Sequence, residues 1–270
     1  MPSDESAVPS PLRLRVVANE DRLAESASEI FLLSAGRVIR QPPFPHVFDA
    51  NVIRHPHLEG DDLDGALHRL GAPLRAIGAR HLQINCDAQD LPVGIKQGLR
   101  ARGFHCDRLV VMVLAGRPAR RAASHVEVRR VPDEAAFEEY AEIMERLSRD
   151  EPWYSKAVSN EIIGSLAAKA QAEALSLHVA RMDGRPVGAL AFSADPETGV
   201  GTIMTVGTIP EARNRGVAQA MVVKLAAAGR DAGCDLVYLI ARADDTPKEL
   251  YRKIGFAVEF GFDVWLRPPR

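Results

Sequence analysis

The sequence predicts an α/β protein built from two similar units, and three observations lead to this prediction. First, 270 residues are long for one compact domain and natural for two domains of moderate size. Second, short apolar runs rich in β-branched residues alternate with stretches whose apolar residues recur at helical spacing. Third, the two halves repeat one pattern, in which a strand, a polar turn with a proline and a short helix ending in Gly-Phe lead into another strand.

The repeat defines the predicted domain boundaries. The segment GARHLQIN at 78–85 corresponds to GCDLVYLI at 233–240, and Gly103-Phe104 corresponds to Gly255-Phe256. Between the halves, the segment 116–124 is small, basic and without periodicity, which is typical of a linker. We therefore predict four parts: a flexible tail at 1–10, an N-terminal domain at 11–116, a linker at 117–125 and a C-terminal domain at 126–270.

Elements of the N-terminal half follow from periodicity and from turn residues. Alternation predicts a strand at 12–17, and helical spacing predicts a helix at 20–33. A short strand is expected at 47–54 between prolines, and Asp61-Asp62 is expected to open a helix that ends at Gly78. The rest of this half is predicted as a strand at 81–86, a helix at 93–102 and a strand at 108–114.

The C-terminal half begins with a predicted strand at 126–131 and two helices at 134–149 and 159–174. Asp183-Gly184 is a hairpin signal, so strands are expected on either side of it, at 177–181 and 186–193. The remaining elements alternate: a strand at 201–209, a helix from Gly216, a strand at 236–241, a helix at 247–253 and a strand at 258–266.

Composition and charge exclude several classes of protein. Hydrophobic residues make up 46% and charged residues 26%, an ordinary balance for a globular protein. The net charge of −2 gives no reason to expect a nucleic-acid or membrane partner, and no apolar run approaches the length of a membrane span. The three cysteines, Cys86, Cys106 and Cys234, are too sparse for a disulfide framework, so we expect a cytoplasmic protein.

The turn between the predicted strand at 201–209 and the next helix is a candidate anion site. It reads RNRGVA at 213–218. A helix that begins at such a turn directs unpaired N–H groups and its positive dipole end towards the turn. Gly216 permits close approach of a ligand to the backbone, and Arg213 and Arg215 add positive charge. These features together favour binding of a phosphate or pyrophosphate. The alternative is an ordinary strand-to-helix turn with solvated arginines, which would have the same short sequence pattern.

A second motif follows about thirty residues later, where the segment 249–256 reads ELYRKIGF. The two motifs, in this order and at this distance, resemble the GCN5-related N-acetyltransferase (GNAT) family. The resemblance implies two GNAT-like domains in tandem, of the α/β (α+β) class, each with a mixed, mostly antiparallel central sheet flanked by helices. It also implies acetyl-CoA as the acyl donor, no metal, and the primary amine of a small molecule as the acceptor.

The resemblance implies roles for particular residues. The turn residues would bind the pyrophosphate of acetyl-CoA: Arg213, Asn214, Arg215, Gly216, Val217 and Ala218. A bulge in the central strand would offer backbone groups to the pantetheine and the thioester, at Met204, Thr205 and Val206. Tyr251 would protonate the departing thiolate, although a lone tyrosine at this spacing could equally be a core residue. Asp244 stands where the family often has an asparagine, so its contact with the cofactor is in doubt.

The N-terminal half departs from the family pattern and is expected to be a degenerate copy. It has no turn motif after its central strand, where HPHLEGDD stands at 55–62, and Leu99 takes the place of Tyr251. We expect this half to serve as scaffold or as a wall of the substrate site. Its histidines do not have the spacing of metal ligands, because the proline between His55 and His57 restricts the residue before it.

The general base is not fixed by a motif. The loop between the first two helices of the C-terminal half contains Asp150 and Glu151, and we take Glu151 as the candidate base. Trp153 and Tyr154 of the same loop are candidates for binding the acceptor amine, and the alternative is a surface loop with one buried tryptophan. His178 is a further candidate base, although a half-buried strand histidine is more often structural.

Four functions are therefore compared. An acetyltransferase for a small amine is the leading interpretation, with a tandem enzyme similar to mycothiol synthase as a variant of it. A non-catalytic sensor that binds acyl-CoA or an amino acid would have no need of Tyr251. A protein acetyltransferase would need an open groove, of which the C-terminal segment 261–270 gives no sign. For the oligomeric state, the sequence is consistent with a monomer and with a homodimer.

Overall fold

The computed structural model describes residues 10–87, 90–149 and 155–269, and for Asp61 it describes the backbone only. In the N-terminal half it has three helices, α1 to α3, at Pro11–Glu25, Leu63–Ala76 and Val93–Ala101. The five strands of this half, β1 to β5, are Glu29–Leu33, Gly36–Arg40, Val52–Arg54, Leu82–Asp87 and His105–Leu114. Short 3-10 turns lie at Phe48–Ala50 and Gly60–Asp62.

Among the described residues of the C-terminal half there are four helices, α4 to α7, at Glu134–Ser148, Lys156–Gln171, Val217–Asp231 and Pro247–Ile254. The six strands found in the same residues, β6 to β11, are Val126–Arg130, Ser176–Met182, Arg185–Asp195, Val200–Thr208, Leu236–Arg242 and Phe256–Arg267. A 3-10 turn at Pro210–Ala212 connects β9 to the turn before α6. The structure is therefore a mixed α/β fold, as the sequence predicts.

The strands described form one continuous sheet of eleven strands, in the order β1-β2-β3-β4-β11-β5-β10-β9-β8-β7-β6. Two pairs are parallel, β3 with β4 and β9 with β10, and the other neighbours are antiparallel. The sheet is thus mostly antiparallel. Helices cover its two faces.

The last strands of the two halves are interleaved in this sheet. β11, from the end of the chain, lies between β4 and β5 of the N-terminal half, and β5 lies between β11 and β10. As a result, Trp265 of β11 is fully buried in the hydrophobic core that α2, β4 and α3 form in the N-terminal half. The boundary at 117–125 stays a prediction, since the strands on either side of it share one sheet.

Two sequence predictions near the N-terminus are wrong. The segment 12–17 is helical rather than extended, because Ser10 caps α1 by accepting a hydrogen bond from the N–H of Arg13 and Pro11 occupies the first turn. Leu12, Val16 and Leu23 lie at helical spacing and face the protein interior. The predicted helix at 20–33 ends at Glu25, and its last part is strand β1.

Opposite faces of the sheet carry different helices. Val16 of α1 packs with Val111 of β5 and Tyr238 of β10 in one core cluster. Helices α6 and α7 pack instead with Val237 and Leu239 of β10. Because side chains alternate along a strand, α1 covers one face of β10 and the pair α6–α7 covers the other. None of the helices described is long and apolar enough to cross a membrane.

Candidate active site

The parallel ladder between β9 and β10 ends in the middle of the sheet. The last paired residues are Ile203 and Leu239, whereas β10 continues to pair with β5 as far as Arg242. On its other side β9 carries a bulge, because the register against β8 shifts between Ala189 and Ala191. The two strands separate beyond this point, so a gap opens in the sheet.

The bulge lies at the residues that the sequence analysis assigned to the thioester. Met204 pairs with Ala191 and Gly207 pairs with Ala189, so Thr205 and Val206 lie opposite the single residue Leu190, and β9 has one extra residue here. Thr205 has a φ of 50°, an uncommon value for a β-branched residue. Backbone groups of this segment have no ladder partner on β10, so they are available to a ligand in the gap.

The turn before α6 presents unpaired backbone N–H groups. Asn214 and Gly216 have φ values of 60° and 78°, and α6 begins directly after them at Val217. The first helical hydrogen bond is donated by the N–H of Ala220 to the carbonyl of Gly216. No side chain caps this end and no acidic residue lies in its first turn. The N-terminus of α6 is therefore an available anion-binding site.

Positive charge flanks this turn. Arg213 donates a hydrogen bond from Nε to the carbonyl of Thr208 at 3.2 Å, which directs its side chain back along β9. The guanidinium of Arg215 lies 3.9 Å from the carboxylate of Asp183, and both side chains are exposed. A pair at this distance and exposure is weak, so Arg215 retains its charge for a phosphate.

The predicted linker packs against the same turn. The ring Nε2 of His125 is 3.1 Å from the carbonyl of Arg215, and Gln219 of α6 donates a hydrogen bond to the carbonyl of Arg121. At the other end of the segment, the N–H of Ala119 donates to the carbonyl of Ile254 at the end of α7. These contacts hold α6 and α7 together at the mouth of the site.

Tyr251 of α7 is buried, with 8% of its surface exposed. Its ring packs edge-to-face against Phe256 at a centroid distance of 6.4 Å. Burial and the negative charge of Asp245 raise the pKa of Tyr251 to about 12. The phenol is therefore fully protonated at neutral pH.

A cavity of about 1440 Å³ connects these features through the gap in the sheet. On the α6–α7 side it is lined by the turn and by Tyr251. On the α1 side it is lined by Arg242 and Leu109, which lie directly opposite each other on β10 and β5. The cavity therefore reaches both faces of the sheet.

Most of the predicted site residues line this cavity: Thr205, Val206, Arg213, Asn214, Gly216, Val217, Ala218 and Tyr251. Met204, Arg215 and Asp244 do not line it, and the carboxylate of Asp244 is 3.4 Å from the guanidinium of Arg242. Asp150, Glu151, Trp153 and Tyr154 lie outside the described residues. Their roles, like the binding roles of the others, stay predictions.

His178 does not line the cavity. Its Nε2 is 2.9 Å from the hydroxyl oxygen of Ser176, and its ring packs edge-to-face against Phe192. Burial, together with the positive charges of Arg130 and Lys224, lowers the pKa of His178 to about 4. The structure places this histidine in a structural environment.

The far wall of the cavity contains residues that sequence reasoning missed. They come from the segment around the first 3-10 turn, from β4 and β5, and from α5: His46, Asp49, Gln83, His105, Asp107 and Lys169. His46 joins the two halves, because its Nδ1 is 2.6 Å from Glu161 of α5. No motif marks these residues, and the pairing of β11 with β4 and β5 brings them together. The described residues contain no cluster of three potential metal ligands.

The fold and the site define an α/β protein whose sheet splits beside a helix N-terminus that can bind an anion. Comparison with known proteins assigns a family to the part of the sequence that forms this N-terminus. The sequence profile described as "Acetyltransferase (GNAT) family" matches residues 127–256. Residues 127–256 are therefore a domain of the GNAT acetyltransferase family. Among curated proteins, none matches the sequence significantly.

Solved structures share the fold over nearly the whole chain. A functionally unknown conserved protein from Staphylococcus epidermidis is 15% identical with a TM-score of 0.73, covering 91% of this chain and 96% of that chain. A GCN5-related N-acetyltransferase from Kribbella flavida is 15% identical with a TM-score of 0.66, covering 95% of each chain. A GCN5-related N-acetyltransferase from Sphaerobacter thermophilus is 19% identical with a TM-score of 0.58, covering 87% of this chain and 78% of that chain. These likenesses extend the fold assignment beyond the matched domain.

Proposed function

We propose that this protein transfers an acetyl group from acetyl-CoA to the primary amine of a small molecule. The observation that carries the proposal is that the α6 turn and Tyr251 line one cavity that passes through the gap between β9 and β10. The donor would enter on the α6–α7 face and the acceptor on the α1 face. The thioester would lie in the gap, where both can reach it.

The residues at the turn fit a pyrophosphate. The first N–H groups of α6 have no partner, and Gly216 lines the cavity without a side chain that would obstruct it. Arg213 and Arg215 would pair with phosphate charge, and the backbone of Thr205 and Val206 would bind the pantetheine and the thioester carbonyl. We keep Met204, Arg215 and Asp244 as weaker candidates, because none of them lines the cavity.

The reaction we propose is direct attack. The bound thioester supplies the acetyl group: the amine nitrogen forms a bond to the carbonyl carbon as the carbon–sulfur bond breaks, and the products are an amide and a free thiol. Tyr251 would give its phenol proton to the departing sulfur. Its pKa of about 12 keeps the phenol protonated at neutral pH but makes the transfer to sulfur less favourable than from a free phenol. Solvent in the cavity would return a proton to the phenolate after the thiol leaves.

A base must also remove a proton from the amine. We keep Glu151 as the proposed base, with Asp150 beside it, and Trp153 and Tyr154 as proposed acceptor-binding residues. The neighbouring described residues support this assignment, because Leu147 and Ser148 at the end of α4 and Ser159 on α5 line the cavity. The described helices on either side of this segment therefore both contribute to the cavity wall.

Two measurements test the proposal together. Calorimetric titration with acetyl-CoA reports binding, and release of a free thiol with a panel of primary amines reports transfer. We expect micromolar binding and amine-dependent thiol release. Binding without thiol release from any amine would favour an acyl-CoA sensor, and absence of binding would overturn the proposal.

A further inference from the structure

The acceptor side of the cavity has its own chemistry, and the inference drawn from it rests on the proposed function. We propose that Lys169, Asp49 and Gln83 form a hydroxyl-binding subsite, so that the acceptor is a polyhydroxylated amine such as an amino sugar. Asp49 and Gln83 belong to the N-terminal half and Lys169 belongs to α5 of the C-terminal half. The subsite therefore exists only where the two halves meet.

Lys169 supplies a donor that no other described residue satisfies. It follows Ile162, Ser165 and Leu166 along the face of α5 that lines the cavity. Its ammonium group has no hydrogen bond and no ion pair within the described part of the chain. The side chain is partly buried, and desolvation lowers its pKa. Because Lys169 lines the cavity and has no partner among the described residues, a ligand in the cavity that accepts a hydrogen bond would satisfy it.

Asp49 supplies an acceptor in a fixed position. Gln83 of β4 donates a hydrogen bond from Nε2 to Oδ1 of Asp49 at 2.7 Å and a second one to Oδ1 of Asn85 at 3.1 Å. Gln83 itself is 2% exposed, so its amide is held firmly. The second carboxylate oxygen of Asp49 accepts no hydrogen bond from the residues described. One oxygen is thus free to accept a hydrogen bond from a ligand hydroxyl.

The charges of Lys169 and Asp49 act on each other across the cavity without contact. The carboxylate of Asp49 favours the charged form of Lys169, as does Glu20 on α1, whereas Arg54 opposes it. An anionic ligand group between the two would be attracted by Lys169 and repelled by Asp49. A cationic group would be attracted by Asp49 and repelled by Lys169. A hydroxyl group accepts from Lys169 and donates to Asp49 with no repulsion. A ligand with several hydroxyl groups can satisfy both residues.

The other charges of the wall are balanced as well. Asp107 of β5 pairs with Arg242 of β10 at 3.3 Å, so neither presents an unopposed charge. A polyamine would need an excess of carboxylates and an acidic acceptor would need an excess of cations. Apolar side chains also line this wall, among them Phe48, Leu109 and Leu166, and they offer packing surface to the ring of a ligand. An arylalkylamine would leave Lys169 and the second oxygen of Asp49 without a hydrogen-bond partner, so an amine that carries hydroxyl groups fits better.

The test compares acceptors and variants by thiol release with acetyl-CoA. The acceptors are three hydroxylated amines (glucosamine, galactosamine and 2-deoxystreptamine) and three others (spermidine, 2-phenylethylamine and glycine). We expect the highest kcat/KM with a hydroxylated amine. We also expect Lys169→Met and Asp49→Asn each to raise the KM for that amine at least tenfold while the Kd for acetyl-CoA stays unchanged. Lys156→Met is the matched control, because Lys156 lies on the same helix, is exposed and does not line the cavity.

Each possible result of this test decides for or against either the subsite or the proposed function. A highest kcat/KM with spermidine, 2-phenylethylamine or glycine overturns the subsite, as does an unchanged KM in both variants when circular dichroism shows that they are folded. Binding of acetyl-CoA without turnover of any hydroxylated amine also overturns the subsite and leaves the cofactor site standing. Failure of the wild type to bind acetyl-CoA overturns the proposed function itself.

Discussion

Ile203 and Leu239 are the last residues at which β9 and β10 pair, and the gap on which the proposed site depends opens directly after them. Past this pair, β9 bulges at Thr205 while β10 stays with β5. The gap gives one cavity access to the free end of α6 on one face and to a polar wall on the other. A sheet with a continuous ladder here would separate donor and acceptor.

The conformation of Gly216 gives a first prediction. Its φ of 78° is in the left-handed region, although a Cβ would find open space, with Ala123 at 3.6 Å as its nearest neighbour. Gly216→Ala should therefore lower the free energy of unfolding by about 1–2 kcal/mol through backbone strain alone, and should weaken acetyl-CoA binding. Urea unfolding and calorimetry measure the two effects. Gly94→Ala, in α3 with an unstrained φ and nothing within 4 Å, should cost no stability, and equal losses in both variants would contradict this explanation.

Removal of the Tyr251 hydroxyl gives a second prediction. Tyr251→Phe should lower kcat by about 100-fold, the typical contribution of a general acid, and leave the Kd for acetyl-CoA unchanged. Because the pKa of Tyr251 is raised to about 12, ionisation of this group should not reduce the rate between pH 7 and 10. Tyr238→Phe is the matched control, since Tyr238 is buried, does not line the cavity and donates a hydrogen bond from its hydroxyl to Glu20 of α1. An unchanged kcat in Tyr251→Phe would assign the proton to another group.

His178 gives a prediction about stability and pH. Its pKa in the folded protein is lowered to about 4, so the unfolded chain binds the proton more tightly than the folded one. The stability it contributes is complete above pH 6.5 and is lost as the pH falls towards 4, by an order-of-magnitude figure of about 3 kcal/mol. His178→Gln should reduce this loss in urea titrations between pH 4 and 7. His68→Gln, at an exposed position on α2, should leave it unchanged, and identical pH profiles for both variants would contradict the assignment.

The interleaved strands give a fourth prediction. Trp265 lies on the last strand of the chain but is fully buried in the core of the N-terminal half. Trp265→Ala should lower the free energy of unfolding by about 3–5 kcal/mol, and both halves should unfold in one transition. Val258→Ala, at a 43% exposed position of the same strand, should change it by less than about 0.5 kcal/mol. Two separate transitions in guanidinium chloride would show that the halves are independent.

The sequence predicted the parts of the site that local motifs encode. The turn at 213–218 and the helix with Tyr251 are recognisable because strand, glycine turn and helix follow each other directly in the chain. Asp49, Gln83 and Lys169 could not be found this way. They line one cavity although they come from a 3-10 turn, from β4 and from α5, and such a long-range arrangement leaves no trace in short-range periodicity.

The error at α1 has a related cause. Residues 12–15 read LRLR, which alternates like a strand, while the helical spacing of Leu12, Val16 and Leu23 extends over three turns. The longer pattern, together with the cap at Ser10, decides the structure. A window of six residues was too short to distinguish the two.

Titration with acetyl-CoA by calorimetry tests the central claim most directly, with wild type, Arg213→Glu and Arg129→Glu compared. Arg129 is the control, because it is exposed on β6 and does not line the cavity. We expect wild type and Arg129→Glu to bind at micromolar Kd, and Arg213→Glu to lose at least tenfold in affinity, since a carboxylate would face the phosphates at the α6 turn. Equal binding by all three proteins would contradict the placement of the pyrophosphate, and no binding by wild type would contradict the account as a whole.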